Sequence, residues 1–102
     1  MNLNPQDKKF ATDFLGKMVA KLEKTSDIIG DRIPRFTNHD GEYLYAPAPY
    51  GDWEVGFWPG MMWLMYLKTG DEQFRKYAEG CEDKLDEAFD IFEGVHHDVG
   101  FM

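Results

Sequence analysis

Only one cysteine, Cys81, stands among the 102 residues, so no internal disulfide can form and the chain suits a reducing compartment. Basic charge is scarce as well. Eleven Lys and Arg against 19 Asp and Glu leave a net charge of −8. With no basic stripe to neutralise phosphates, nucleic acid is excluded as an expected partner. Long apolar runs are missing too. The longest, Phe57 to Leu67, covers eleven residues, whereas a helix that crosses a bilayer needs about 20. The N-terminus, MNLNPQDKKFATDF, lacks the apolar stretch of a secretory signal. These absences predict a soluble, cytoplasmic protein that binds neither nucleic acid nor membrane.

What the chain does have is aromatic weight. Hydrophobic residues make up 43% and aromatics 16%, with three Trp, five Tyr and eight Phe. That content is too high for disorder and calls for a core. Large aromatics also make stacking platforms for flat or ring-shaped ligands. The length leaves room for one small domain.

Three helices are predicted. The first opens at NPQD, where Asn4 suits an N-cap, Pro5 the first helical position and Asp7 the positive end of the dipole. Phe10, Phe14, Met18 and Leu22 follow at intervals of four, beside Leu15 and Val19, and form one apolar stripe. The helix is expected to fade between Ser26 and Gly30. From Asp31 to Trp53 prolines and glycines break regular structure, and a long irregular loop of functional kind is expected, with short extended pieces around Glu42 to Tyr45.

The second helix is read as PGMMWLMYLKTG, opened by Pro59 and closed by Gly70. Met61 through Leu67 are apolar on every side, so this helix should be buried all round. A chain of this size rarely encloses such a helix, which implies neighbours that it does not contain. Asp71 then N-caps a third helix, with Glu72 in its first turn. Phe74, Tyr77, Ala78, Cys81, Leu85, Ala88, Phe89 and Phe92 step by three and four among charged residues. This is an amphipathic surface helix of about 20 residues, ended by Gly94. A buried helix joined tightly to an amphipathic one predicts the inner and outer members of a layered helical array.

The densest chemistry lies in FEGVHHDVGFM. His97 and Asp98, joined by His39 and Asp40, are candidate metal ligands. Adjacent histidines seldom reach one ion, however, and no further Cys or His spacing supports a zinc site, so no metal is expected. Cys81 lies on the apolar stripe of the third helix and reads as core rather than nucleophile. His96 reads as a solvent-facing loop residue. By residue type alone Asp98 fits a turn or capping carboxylate as well as a catalytic one.

The stretch DWEVGFWPGMMWLMYLKTGDEQFRKYAE, followed by a helix to FEGVHHDVGFM, resembles the N-terminal part of the unsaturated glucuronyl hydrolases, glycoside hydrolase family 88. The resemblance runs from about Gly30 to the last residue. Its specific elements are Trp53-x-x-Gly56-Phe57-Trp58-Pro59-Gly60 and His97-Asp98-Val99-Gly100-Phe101, about forty residues apart.

The resemblance implies an all-α fold, a six-hairpin α/α barrel several times longer than this chain, of which residues 1–102 would form an N-terminal fragment holding about three helices. It implies removal of a Δ4,5-unsaturated uronic acid from the non-reducing end of oligosaccharides that lyases leave from glycosaminoglycans or other uronate polysaccharides. The enol-ether double bond is protonated and hydrated, and the resulting hemiketal opens and expels the remaining sugar, so retaining or inverting logic at the anomeric carbon does not apply. No metal or organic cofactor is implied. Asp98 matches one of two essential aspartates, His97 is a donor to the sugar or its carboxylate, and Trp53 and Phe57 form an aromatic wall for the planar ring. The second aspartate is expected downstream, so the chain is read as stopping inside a site and as inactive alone. Two other readings stay open: the related unsaturated rhamnogalacturonyl hydrolases of family 105, and a non-catalytic helical interaction module.

Overall fold

The computed structural model describes residues 2–92 and 95–102. Helix α1 spans Pro5–Ile29. Its start follows the expected chemistry: the Asp7 N–H donates to Asn4 Oδ1 at 2.8 Å, and Pro5 occupies the first turn, where its missing N–H costs nothing. Its end falls within the expected window. Gly30 adopts φ +62°, which a side chain would resist, and donates its N–H to the Ser26 carbonyl at 2.8 Å.

The segment expected to be an irregular loop contains a hairpin. Strands β1 (Pro34–Thr37) and β2 (Tyr43–Tyr45) pair antiparallel, with Phe36 opposite Leu44 and Thr37 opposite Tyr43. Asn38 explains the turn, because its Oδ1 accepts from the N–H groups of both Asp40 and Glu42 at 3.0 Å. Helix α2 runs over Phe57–Thr69, two residues ahead of the expected Pro59 start, and closes at Gly70 in the left-handed region, as predicted. A 3-10 turn, Trp53–Gly56, leads directly into it. Because the chain is already helical there, Pro59 sits inside the first turn and breaks no hydrogen bond.

The expectation that α2 is buried on all sides is corrected. Trp58, Pro59, Met62 and Met65 are buried, but Leu64 and Leu67 are exposed by 66% and 78%. The cause is cover: α3 (Glu72–Ile91) packs along one side and only the distal half of α1 approaches another. The α1 stripe is bare at its start, with Phe10 71% exposed. Between α1 and α2 lies an open apolar groove of about 490 Å³, bordered by Phe10, Phe14, Met18, Met61, Leu64 and Met65.

Helix α3 bears out its reading. The Asp71 carboxylate accepts the Gln73 N–H at 2.9 Å, and Phe74, Ala78, Cys81, Leu85 and Ala88 are buried, whereas Phe89 and Phe92 are exposed. The helix closes at Phe92 in left-handed conformation; the predicted stop, Gly94, lies outside the described residues. The stretch after α1 docks on this helix. A Cβ on Gly80 would lie 2.9 Å from the Asp31 Cβ, and Lys84 Nζ donates to the Asp31 carbonyl at 2.7 Å. Trp58 ties α2 to the same region through a bond from Nε1 to the Gly30 carbonyl at 2.9 Å. Ile29, Ile33, Val55, Trp58, Met62 and Cys81 thus meet in one core under the turn that carries Trp53. None of the helices among the described residues is long and apolar enough to cross a membrane.

Candidate active site

The Trp53 turn and the last described segment come together. A second 3-10 turn, Val99–Phe101, follows Asp98 and packs against the first. The close approach is made at Gly56, where an added Cβ would lie 2.2 Å from the Met102 carbonyl oxygen and 2.9 Å from that of Phe101. Gly56 itself has φ −80°, open to any residue. Space, not backbone conformation, calls for glycine there.

This contact builds an aromatic group. Trp53 meets Phe57 edge-on, with centroids 5.6 Å apart and planes at 85°, and meets Phe101 edge-on at 6.0 Å and 76°. Such geometry suits the ring quadrupoles. Trp53 is 47% exposed and Phe57 is half-exposed, so both rings offer a face outward instead of filling the core.

Beside it stands the polar half. Asp98 Oδ2 lies 3.3 Å from His97 Nε2 and 3.9 Å from His96 Nδ1. The Asp98 N–H donates to His96 Nδ1 at 3.2 Å, so that nitrogen is the acceptor and carries no proton when the bond is made. His97 is largely exposed, at 89% of its side chain. Asp98 lies in a turn, which fits one part of its reading as a turn or capping carboxylate, but it makes no side-chain cap bond to the second 3-10 turn that it precedes. Its carboxylate is left for the histidines and for whatever enters from solvent.

The candidate metal ligands weighed from the sequence divide. His96, His97 and Asp98 bring one ligand atom each within 4.8 Å of one another. His39 and Asp40 are not in that group; they sit exposed at the tip of the hairpin. Cys81 is core, as read from its position. It is fully buried, its Sγ donates to the Asp31 carbonyl at 3.2 Å, and burial pushes the thiol up to about 12.

One feature of the site was not foreseen. Arg35 of β1 reaches across to the turn, with Nε 2.5 Å from Glu54 Oε1 and Nη1 3.2 Å from Asp52 Oδ2. The acidic pair that brackets Trp53 was a visible signal, but nothing in local spacing named a partner 17 residues before Asp52.

No family model matches the chain. Individual relatives do. Over 91 residues the chain is 41% identical to the unsaturated glucuronyl hydrolase of Bacillus sp., covering 88% of this chain and 22% of that protein. A solved structure of the enzyme from Bacillus sp. GL1 superposes with a TM-score of 0.71 at 35% identity, over 85% of this chain and 23% of the other. The chain matches the N-terminal part of the unsaturated glucuronyl hydrolases. A second solved glucuronyl hydrolase, an aspartate-to-asparagine variant with dGlcA-Glc-Rha-Glc, gives a TM-score of 0.72 at 34% identity. The unsaturated chondroitin disaccharide hydrolase of Streptococcus pneumoniae is 28% identical over 89 residues, 86% of this chain and 22% of that one. The chain therefore spans a little over a fifth of the length of these curated relatives. Its three helices belong to the architecture of an α/α barrel, and the chain covers about 23% of the solved enzyme.

Proposed function

We propose that residues 1–102 are the N-terminal portion of a single α/α-barrel catalytic domain, and that the whole enzyme removes a Δ4,5-unsaturated uronic acid from lyase-generated oligosaccharides. The observation that carries this reading is the joining of the two motifs at Gly56, which sets the Asp98–His97 pair beside the exposed Trp53–Phe57–Phe101 aromatics. A planar unsaturated ring has an apolar face to stack and a carboxylate to bind, and this arrangement offers a partner for each.

Asp98 is the proton donor in this reading. A carboxylic acid delivers its proton to the enol-ether carbon, and the positive charge that develops on the adjacent carbon and ring oxygen is met by water, which loses a proton in turn. The hemiketal so formed opens, the bond to the remaining sugar breaks, and that sugar leaves with the hydroxyl proton. His97, exposed beside Asp98, donates to the sugar or its carboxylate. Trp53 and Phe57 hold the ring in place. Neither a metal nor an organic cofactor enters these steps.

The resemblance to the unsaturated glucuronyl hydrolases implies a second aspartate that works with Asp98, and residues 1–102 match only the N-terminal part of those enzymes. The second aspartate belongs to the remainder of the barrel, and residues 1–102 alone are inactive. The groove between α1 and α2 is then the seat of a further helix of the same barrel, which is why the interaction-module reading ranks second. Relatives named for unsaturated glucuronyl and chondroitin disaccharide hydrolysis disfavour the rhamnogalacturonyl reading. A cytoplasmic location suits a protein with one buried thiol and small, already depolymerised substrates.

The test is to incubate the full-length gene product with unsaturated glucuronyl and chondroitin disaccharides and follow the ultraviolet absorbance of the double bond. Loss of absorbance with release of the second sugar is expected. No loss on either substrate, alongside turnover of an unsaturated rhamnogalacturonyl disaccharide, would overturn the assignment.

A further inference from the structure

We propose that Arg35 is the positioning residue for Trp53: its guanidinium ties together the two carboxylates that flank the tryptophan and thereby fixes the face that Trp53 presents. The kinetic part of this inference rests on the reading of Trp53 as a sugar platform; the structural part does not.

The geometry is specific to arginine. Nε meets Glu54 Oε1 at 2.5 Å and Nη1 meets Asp52 Oδ2 at 3.2 Å, so one rigid planar group grips the residue before Trp53 and the residue after it. Among the described residues the first 3-10 turn has no other clamp of this kind. Asp52 stands at its N-cap but makes no side-chain capping bond, because its carboxylate is turned to Arg35. Glu54 leans on Arg35 still more heavily. Its side chain is only 17% exposed, and its second oxygen is buried with no partner among the described residues. Without Arg35, a largely covered carboxylate would be left with neither oxygen paired, which favours turning the side chain outward to water. Loss of the Arg35 contacts unties the turn that carries Trp53 from β1 on both sides of the tryptophan. A lysine brings the same charge but is a point donor on a flexible stem and cannot hold two carboxylates in a fixed fork.

Beyond Trp53 the consequence continues into the site. The ring keeps its edge-on contacts to Phe57 and Phe101 only while the turn holds its direction. A platform displaced by a fraction of an ångström binds the ring less well, while the proton transfer at Asp98 is unaffected once the ring is bound.

The experiment labels the full-length gene product with 5-fluorotryptophan and identifies the Trp53 resonance by its absence from Trp53→Phe. In both Arg35→Gln and Arg35→Lys that resonance should shift and broaden, while the other tryptophan lines hold. On an unsaturated disaccharide both variants should raise KM about five-fold or more, with kcat within about two-fold of wild type. An unmoved Trp53 line overturns the proposal whatever the kinetics, since Arg35 would then touch substrate directly or serve elsewhere. Movement of every tryptophan line overturns it as a general defect of folding, and full rescue by lysine overturns the fork. A moved Trp53 line with unchanged KM upholds the positioning and removes Trp53 from the sugar site. A wild-type protein inactive on unsaturated disaccharides would sink the functional reading and leave the resonances to decide the role of Arg35.

Discussion

The place where a Cβ of Gly56 would stand is taken by the backbone of Met102, with the carbonyl oxygen 2.2 Å from it. Two motifs about forty residues apart are thus one structural unit, and a missing side chain is what lets them meet. Gly56→Ala should force the 99–102 segment away. The strain should cost about 1–3 kcal/mol, the range for overfilling a packed contact. Chemical denaturation of the full-length gene product measures the loss, and turnover should fall with it as Asp98 moves. Unchanged stability together with unchanged turnover would mean that the two segments do not pack as described.

Trp53→Ala should weaken binding of the unsaturated sugar by no more than about 3 kcal/mol, the scale of one lost aromatic face. The half-exposed ring predicts a folded variant with native circular dichroism. A variant that cannot fold would make Trp53 a core residue.

Cys81 gives a prediction in pH. Burial raises its thiol from the ordinary 9.0 to about 12, with Lys84 opposing in part. The folded state therefore keeps its proton where the unfolded state has lost one. Stability from this group is complete below pH 9 and drains away as pH climbs towards 12. Denaturation midpoints should fall over that window and fall less in Cys81→Ala. At pH 8 the native thiol should resist iodoacetamide and react once the chain is unfolded.

How much of this was legible beforehand follows the range of the signals. Asn4, Pro5, Gly30, Gly70 and Asp71 act on backbone groups within a few residues, and each marked its helix end where the structure has it. The periodic stripe of α3 named its buried residues from Phe74 to Ala88, because one face of that helix has a partner over most of its length. The same logic overreached for α2, since an apolar sequence states what a helix would bury, not what is present to bury it. Pro59 reads as the start of α2, but the helix begins at Phe57, because a proline is tolerated within a first turn. The hairpin was half seen: Tyr43–Tyr45 has the extended character of a strand, but four residues opened by Pro34 give no periodicity to read. In the site, Trp53, Phe57, His97 and Asp98 were named by motif. The contacts that assemble them, Gly56 with Met102 and Arg35 with Asp52 and Glu54, join residues far apart in sequence and leave no local trace.

The bare groove predicts the behaviour of residues 1–102 expressed alone. Phe10, Phe14, Leu64 and Leu67 are all more than half exposed. Burying one such side chain is worth about 1.5–3 kcal/mol, so several left in water rival the whole stability margin of a small domain. The isolated chain should be oligomeric, aggregated or molten, and without hydrolase activity. Size-exclusion chromatography with light scattering and near-ultraviolet circular dichroism report on it. A sharp monomer with a strong aromatic signal would make the chain a self-sufficient domain and move the interaction-module reading ahead.

Turnover of Asp98→Asn in the full-length gene product, followed by loss of double-bond absorbance on an unsaturated disaccharide, tests the central claim most directly. The replacement is nearly isosteric and lies in a partly exposed turn, so the fold should survive, as circular dichroism would show. An amide can neither give up the proton nor carry the charge, so turnover should drop by orders of magnitude while the variant still binds the sugar. Turnover close to wild type in a folded Asp98→Asn protein would contradict the account.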